Sequence, residues 1–167
     1  MDRELLVVLY SYNAYANRLV LETAARLSDE EFTRPASPSH ESVQMLLLHI
    51  IRAETFFLKQ SQGQSLPPQP AEAPTLAQIR AYTDQLAQEQ EAFVRSLAEN
   101  DLTLEVEYEM GGHPFRLAVW QMLTQAFVHS THHRGELSIV VSELGHPLPT
   151  LDIIIPFVTQ SGQEWPG

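Results

Sequence analysis

Between Arg116 and Leu144 runs an apolar stripe repeating every 3.6 residues, which commits this stretch to a long helix with one side in a core. With Val119 as reference, Met122, Leu123, Ala126, Ser130, Leu137, Val140, Val141 and Leu144 all project within about 60° of it at 100° per residue. His133 falls inside the stripe. His129 lies just beyond its edge, at about 80°, whereas His132 points about 140° away and is expected at the surface or behind the site.

Three further segments have the same character. Apolar positions from Arg3 to Leu27 (Leu5, Val8, Leu9, Tyr12, Tyr15, Ala16, Leu19, Val20) predict a first long helix, with no glycine or proline to interrupt it. Ser28-Asp-Glu-Glu31 then reads as a capping box that starts a short turn. After a loop from Arg34 to Ser39 comes a second long helix, Ser42 to Gln60, with Val43, Leu46, Leu47, Ile50, Ala53 and Phe57 on one side. The proline-rich stretch from Gly63 to Pro74 is a loop inside one domain, because both its flanks keep the helical pattern. Thr75-Leu-Ala-Gln78 is a second capping box, opening a third helix to about Glu99. Alternation in Leu102 to Tyr108, followed by Gly111-Gly112 and His113-Pro-Phe115, predicts a short extended hairpin before the last long helix. Gly145 and Pro147 end that helix, and the apolar tail Leu151 to Phe157 is expected to dock on the rest. The fold expected is all-α: a four-helix bundle forming one domain over residues 1–167. Connections of a dozen or more residues allow an order other than up-down-up-down.

Within such a bundle the histidines gain meaning. His129 and His133 stand one turn apart, near enough for two imidazoles to reach one ion. His49, at the edge of the second helix's apolar face, offers a third donor. Three neutral imidazoles with an open position suit a divalent transition metal carrying a water. The plainer alternative stays in view: a histidine on an apolar helix face is more often a hydrogen-bonded core residue than a ligand.

Composition narrows the partners. Twenty-one acidic against 10 basic residues give a formal charge of −11, which opposes phosphate backbones and anionic bilayers, so neither nucleic acid nor a membrane is expected as a partner. There is no cysteine, so disulfides, zinc–thiolate sites and a cysteine nucleophile are excluded, and any thiol chemistry must use an outside thiol. The beginning Met-Asp-Arg-Glu lacks the features of a secretory signal, and a cytoplasmic protein is the expectation.

Several motifs together resemble the DinB/YfiT-like family of metalloenzymes. They are Tyr12-Asn-Ala-Tyr-Ala-Asn17, Leu27-Ser-Asp-Glu-Glu-Phe32, Leu48-His49-Ile-Ile-Arg-Ala-Glu54, His129-Ser-Thr-His-His-Arg-Gly-Glu136 and Pro149-Thr-Leu-Asp152-Ile153. The resemblance covers nearly the whole chain, and its most specific part is the His-x-x-His-His-Arg-Gly run. It implies a bundle of that type, with His49, His129 and His133 as metal ligands, zinc or nickel being the ions expected first. It further implies a frequent homodimer and a metal-dependent transferase that passes an exogenous low-molecular-weight thiol to a small-molecule substrate. A metal-dependent hydrolase, or a non-catalytic, stress-associated metal binder, are the alternatives. Glu136 departs from the glutamine expected after His-Arg-Gly; it is a weak catalytic candidate that would accept a proton, orient a ligand or lie in solvent.

Overall fold

The computed structural model describes residues 2–68 and 73–166. The chain is mostly helical: α1 (Arg3–Ala24), α2 (Asp29–Thr33), α3 (Val43–Ser61), α4 (Leu76–Ser96), β1 (Glu105–Met110), β2 (His113–Ala118), α5 (Val119–Glu143) and α6 (Ile154–Gln160), with one 3₁₀ turn at Asp101–Thr103. Of the connection read from Gly63 to Pro74, residues 69–72 lie outside the described residues.

The caps follow from the sequence. Asp2, Ser28, Ser42 and Thr75 each accept a backbone N–H at the start of a helix, and both expected capping boxes form. Three boundaries move. The first helix stops at Ala24, not Leu27, and α4 stops at Ser96, not Glu99. The last long helix begins at Val119 and not Arg116, because Arg116, Leu117 and Ala118 pair with Glu107, Val106 and Glu105 across an antiparallel two-stranded sheet. Ladder hydrogen bonds and the cross-strand pair of Arg116 with Glu107 hold these residues in the sheet. Gly111 and Gly112, at φ of 61° and 79°, make the turn between the strands, a conformation that only glycine adopts at little cost.

Three apolar clusters fix how the long helices run. One joins Val20 and Leu21 of α1, Leu46 and Ile50 of α3, Ile79 of α4 and Leu137 and Val140 of α5. A second joins Leu6 and Tyr10 of α1, Val94 of α4 and Val119 and Leu123 of α5, and a third joins Phe57 of α3 to Met122 and Ala126 of α5. So α1 and α5 run one way and α3 and α4 the other. The long 62–75 connection is required because α3 and α4 are parallel.

Between these clusters lies a polar layer to which all four long helices contribute. The Glu54 carboxylate, 2% exposed, accepts from Asn13 Nδ2 at 3.0 Å, Asn17 Nδ2 at 3.1 Å, Ser130 Oγ at 2.7 Å and Gln90 Nε2 at 2.9 Å. Arg134, also buried, donates through Nη1 to the Oδ1 atoms of the same two asparagines, at 2.6 and 2.8 Å, and through Nη2 to Thr131 Oγ1. Two amides thus bridge a buried anion and a buried cation that do not touch. Each charge is answered by directed hydrogen bonds, the condition under which burial is tolerated. The C-terminal tail docks only at its start: Leu148 and Leu151 pack on the first cluster and the Tyr12 hydroxyl donates to the Leu151 carbonyl, whereas α6 buries no residue and leaves Ile154 and Phe157 about half exposed.

Candidate metal centre

Alternation along α5 separates two jobs. Ser130 and Arg134 turn into the polar layer, while His129 and His133, one residue earlier in each case, turn about 100° aside toward α3. There His49 meets them. The three rings lie close together, with centroid separations of 4.8 Å for His49–His129, 4.6 Å for His49–His133 and 4.5 Å for His129–His133. His49 Nε2 and His129 Nε2 are 3.0 Å apart. Two donors each about 2.0–2.1 Å from one ion, at right or tetrahedral angles, would be separated by about 2.8–3.4 Å, so this pair, within hydrogen-bond distance of each other, also fits a shared cation. His132 is exposed, as its position on the helix predicts, and its ring meets only the edge of His133.

A fourth imidazole joins them. His40 stacks on His49 with ring centroids 3.8 Å apart, and His40, His49 and His133 each offer a ligand nitrogen within 4.8 Å of the others. Helical periodicity had no means of finding it, because His40 sits in the turn before α3, where Ser37 and Glu41 form a bridge and Glu41 has a φ of 67°.

Glu136 is neither in solvent nor free. Its Oε1 accepts from Ser37 Oγ at 2.6 Å and Ser39 N at 3.2 Å, and its Oε2 accepts from Ser39 Oγ at 2.6 Å and lies 3.3 Å from His133 Nδ1. Burial pushes this carboxyl upward, but the donors from Ser37, Ser39 and His133 outweigh it and hold the pKa at about 2. A group so held is a poor base at neutral pH. Its geometry is that of a support: a carboxylate on the far nitrogen of a ligand histidine fixes ring orientation and leaves Nε2 free to bind. His129 has no such support, its Nδ1 being buried without a hydrogen-bond partner.

Electrostatics keep the nitrogens of His40, His49 and His129 available. Burial and then its neighbours His40, His129 and His133 lower the pKa of His49 to about 4. Burial, followed by His133, likewise lowers His40 and His129. These imidazoles are neutral at pH 7, the form a metal requires. Without metal, the unfolded chain takes up protons on His49 below about pH 6.5 while the folded one does not until about pH 4. The metal-free protein is therefore expected to lose stability progressively from pH 6.5 to pH 4. Thermal melts across that window should show the fall, and a shallower one in His49→Gln; equal slopes would refute the assignment.

Two grooves open elsewhere. One of about 790 Å³ lies among α1, α4 and α6, lined by Tyr12, Tyr15, Asp84 and Phe157, and one of about 410 Å³ is lined by Arg52, Lys59, Tyr82 and Glu89. Neither is lined by a histidine of the cluster.

The fold and the cluster together define a helical protein with a histidine-rich site clamped between two of its long helices. The DinB family model matches residues 1–161, and the chain belongs to the DinB family. Among solved structures it is similar to a DinB-like protein of Bacillus subtilis, at 21% identity and a TM-score of 0.66, covering 86% of this chain and 97% of that one. It is also similar to a DinB-like protein of Bacillus cereus, at 19% identity and a TM-score of 0.63, covering 81% and 90%. A conserved protein of Enterococcus faecalis aligns at 13% identity and a TM-score of 0.62, covering 80% and 92%. At these identities the likeness concerns the fold. No curated protein matches the chain.

Proposed function

We propose that this chain binds a divalent transition metal, zinc or nickel first, through His49, His129 and His133, within a four-helix bundle whose strand pair forms a terminal hairpin. The observation that carries the reading is the pair of Nε2 atoms from α3 and α5 facing each other at 3.0 Å, on imidazoles that burial keeps neutral. The activity we favour is transfer of an exogenous low-molecular-weight thiol to a small electrophile. A bound ion would supply Lewis acidity and hold a coordinated thiol deprotonated. The chain's own part is to aim three nitrogens, fix His133 through Glu136 and bring no cysteine that would compete for the metal. Glu136, held ionised by four contacts, serves this reading better than hydrolysis, where it would have to take a proton from water.

The test is product formation from an activated electrophile by metal-loaded protein, with and without an added small thiol. Turnover only with thiol is expected. Turnover without it would favour the hydrolase, and an ion indifferent to thiols, azide and pH would make the metal a structural one.

We also propose a cytoplasmic homodimer. Among the described residues no helix is long and apolar enough to cross a membrane. Val128 and Ile139 of α5 are 54% and 64% exposed on one outward face, with Gly135 between them and open space where its Cβ would stand. Sedimentation should show a dimer at micromolar concentration that Ile139→Glu weakens; a monomer in the unaltered protein would remove the proposal.

A further inference from the structure

We propose that His40 is a fourth, loop-borne donor to the metal and that Glu136 is the positioning residue that presents it. The inference rests on the metal reading above and concerns a residue outside the three-histidine set.

The turn carrying His40 is tied down from both sides. Ala36 N and Ser37 N donate to the Glu41 carbonyl, at 2.7 and 3.0 Å, and His40 N donates to Ser37 Oγ at 3.1 Å. From α5, almost a hundred residues away, Glu136 accepts from Ser37 Oγ, Ser39 N and Ser39 Oγ. Six donors of the turn thus serve to hold one short loop against one carboxylate and itself. A turn required only to connect α2 to α3 has no need of a long-range anchor of this kind.

Proton accounting then gives the orientation of the His40 ring. Ser39 Oγ is 2.6 Å from Glu136 Oε2 and 2.6 Å from His40 Nδ1. The hydroxyl has one proton, and an ionised carboxylate can only accept, so that proton goes to Glu136. His40 Nδ1 must then be the donor to Ser39 Oγ, which leaves the Nε2 of His40 with its lone pair. The same carboxylate oxygen, 3.3 Å from His133 Nδ1, selects the same tautomer in His133. Glu136 therefore directs two Nε2 lone pairs, one by contact and one through Ser39. The two rings stand edge to face, 5.1 Å apart, whereas His40 is stacked on the third imidazole, that of His49, a stack its ring must tilt out of to share an ion with it.

The three-histidine set is fixed on helices, whereas His40 rides on a loop. It is the donor able to leave when another ligand arrives, and four imidazoles still leave room on an ion that accepts five or six ligands.

Cobalt(II) titration of full-length protein tests this, with chelator competition for affinity, visible absorption for coordination, and metal-free melts to verify folding. His49→Ala reports on the metal reading itself. His40→Gln is expected to keep cobalt, bind it about ten- to a hundredfold more weakly, alter the visible spectrum, and take up azide at least about tenfold more tightly because a position has opened. Ser39→Ala, which keeps the imidazole but frees its tautomer, should shift spectrum and affinity in the same direction, as should Glu136→Gln. If His40→Gln and Ser39→Ala match the unaltered protein in spectrum, cobalt affinity and azide affinity while His49→Ala loses cobalt, His40 is no donor and the three-histidine reading stands alone. If the unaltered protein takes up no cobalt, both readings are overturned.

Discussion

Alanine at His49, at His129 or at His133 is each expected to weaken metal binding by about a thousandfold or more, while alanine at His132 leaves it within a fewfold. The difference is one of direction and company. The first three rings converge between α3 and α5, with centroids no more than 4.8 Å apart, whereas His132 is exposed on the far side of the same helix turn. Removing one of three helix-borne donors costs more than the ten- to hundredfold typical of an outer partner. Isothermal titration with zinc or nickel, backed by elemental analysis of protein expressed without added metal, provides the check. Equal loss on changing His132 would mean that the geometry between α3 and α5 does not decide binding.

The other large effect belongs to the polar layer. Glu54→Ala leaves Ser130, Gln90 and the amides of Asn13 and Asn17 without their acceptor, and strands the Arg134 charge behind two asparagines with no anion beyond them. Removing one of two buried opposite charges that are joined through hydrogen bonds costs on the order of 3–5 kcal/mol. Glu54→Gln keeps the shape and one acceptor oxygen, and about 1–3 kcal/mol is expected from the partners left unsatisfied. Urea denaturation of the metal-free protein should rank the two in that order. A loss below about 1 kcal/mol for the alanine variant would show that water or rearrangement satisfies the layer without Glu54.

These residues also show where reading a sequence stops. Caps at Ser28 and Thr75, the inward stripe of α5 and the placement of His132 are local properties, set by 3.6-residue spacing and by side chains three positions away, and they were legible in the chain. Asn13, Asn17, Glu54 and Arg134 were visible as motif letters, but not as one network, because their roles depend on which helices become neighbours. His40 was missed for the same reason. The conformation of its turn is anchored by a carboxylate 96 positions further along the chain, and no window on the sequence holds both. Arg116 to Ala118 read as helix because no glycine or proline separates them from Val119, yet strand pairing with Glu105 to Glu107 takes them.

The interleaving on α5, with His129 and His133 on one face and Ser130 and Arg134 on the next, makes the candidate metal centre and the folding code of this chain separable inheritances. The bonds from Ser130 and Arg134 set the rotation and height of the helix without touching an imidazole. A descendant that exchanged every ligand histidine would still inherit a helix locked in the same register. The α3–α5 seam would remain a frame on which a different chemistry has room to evolve.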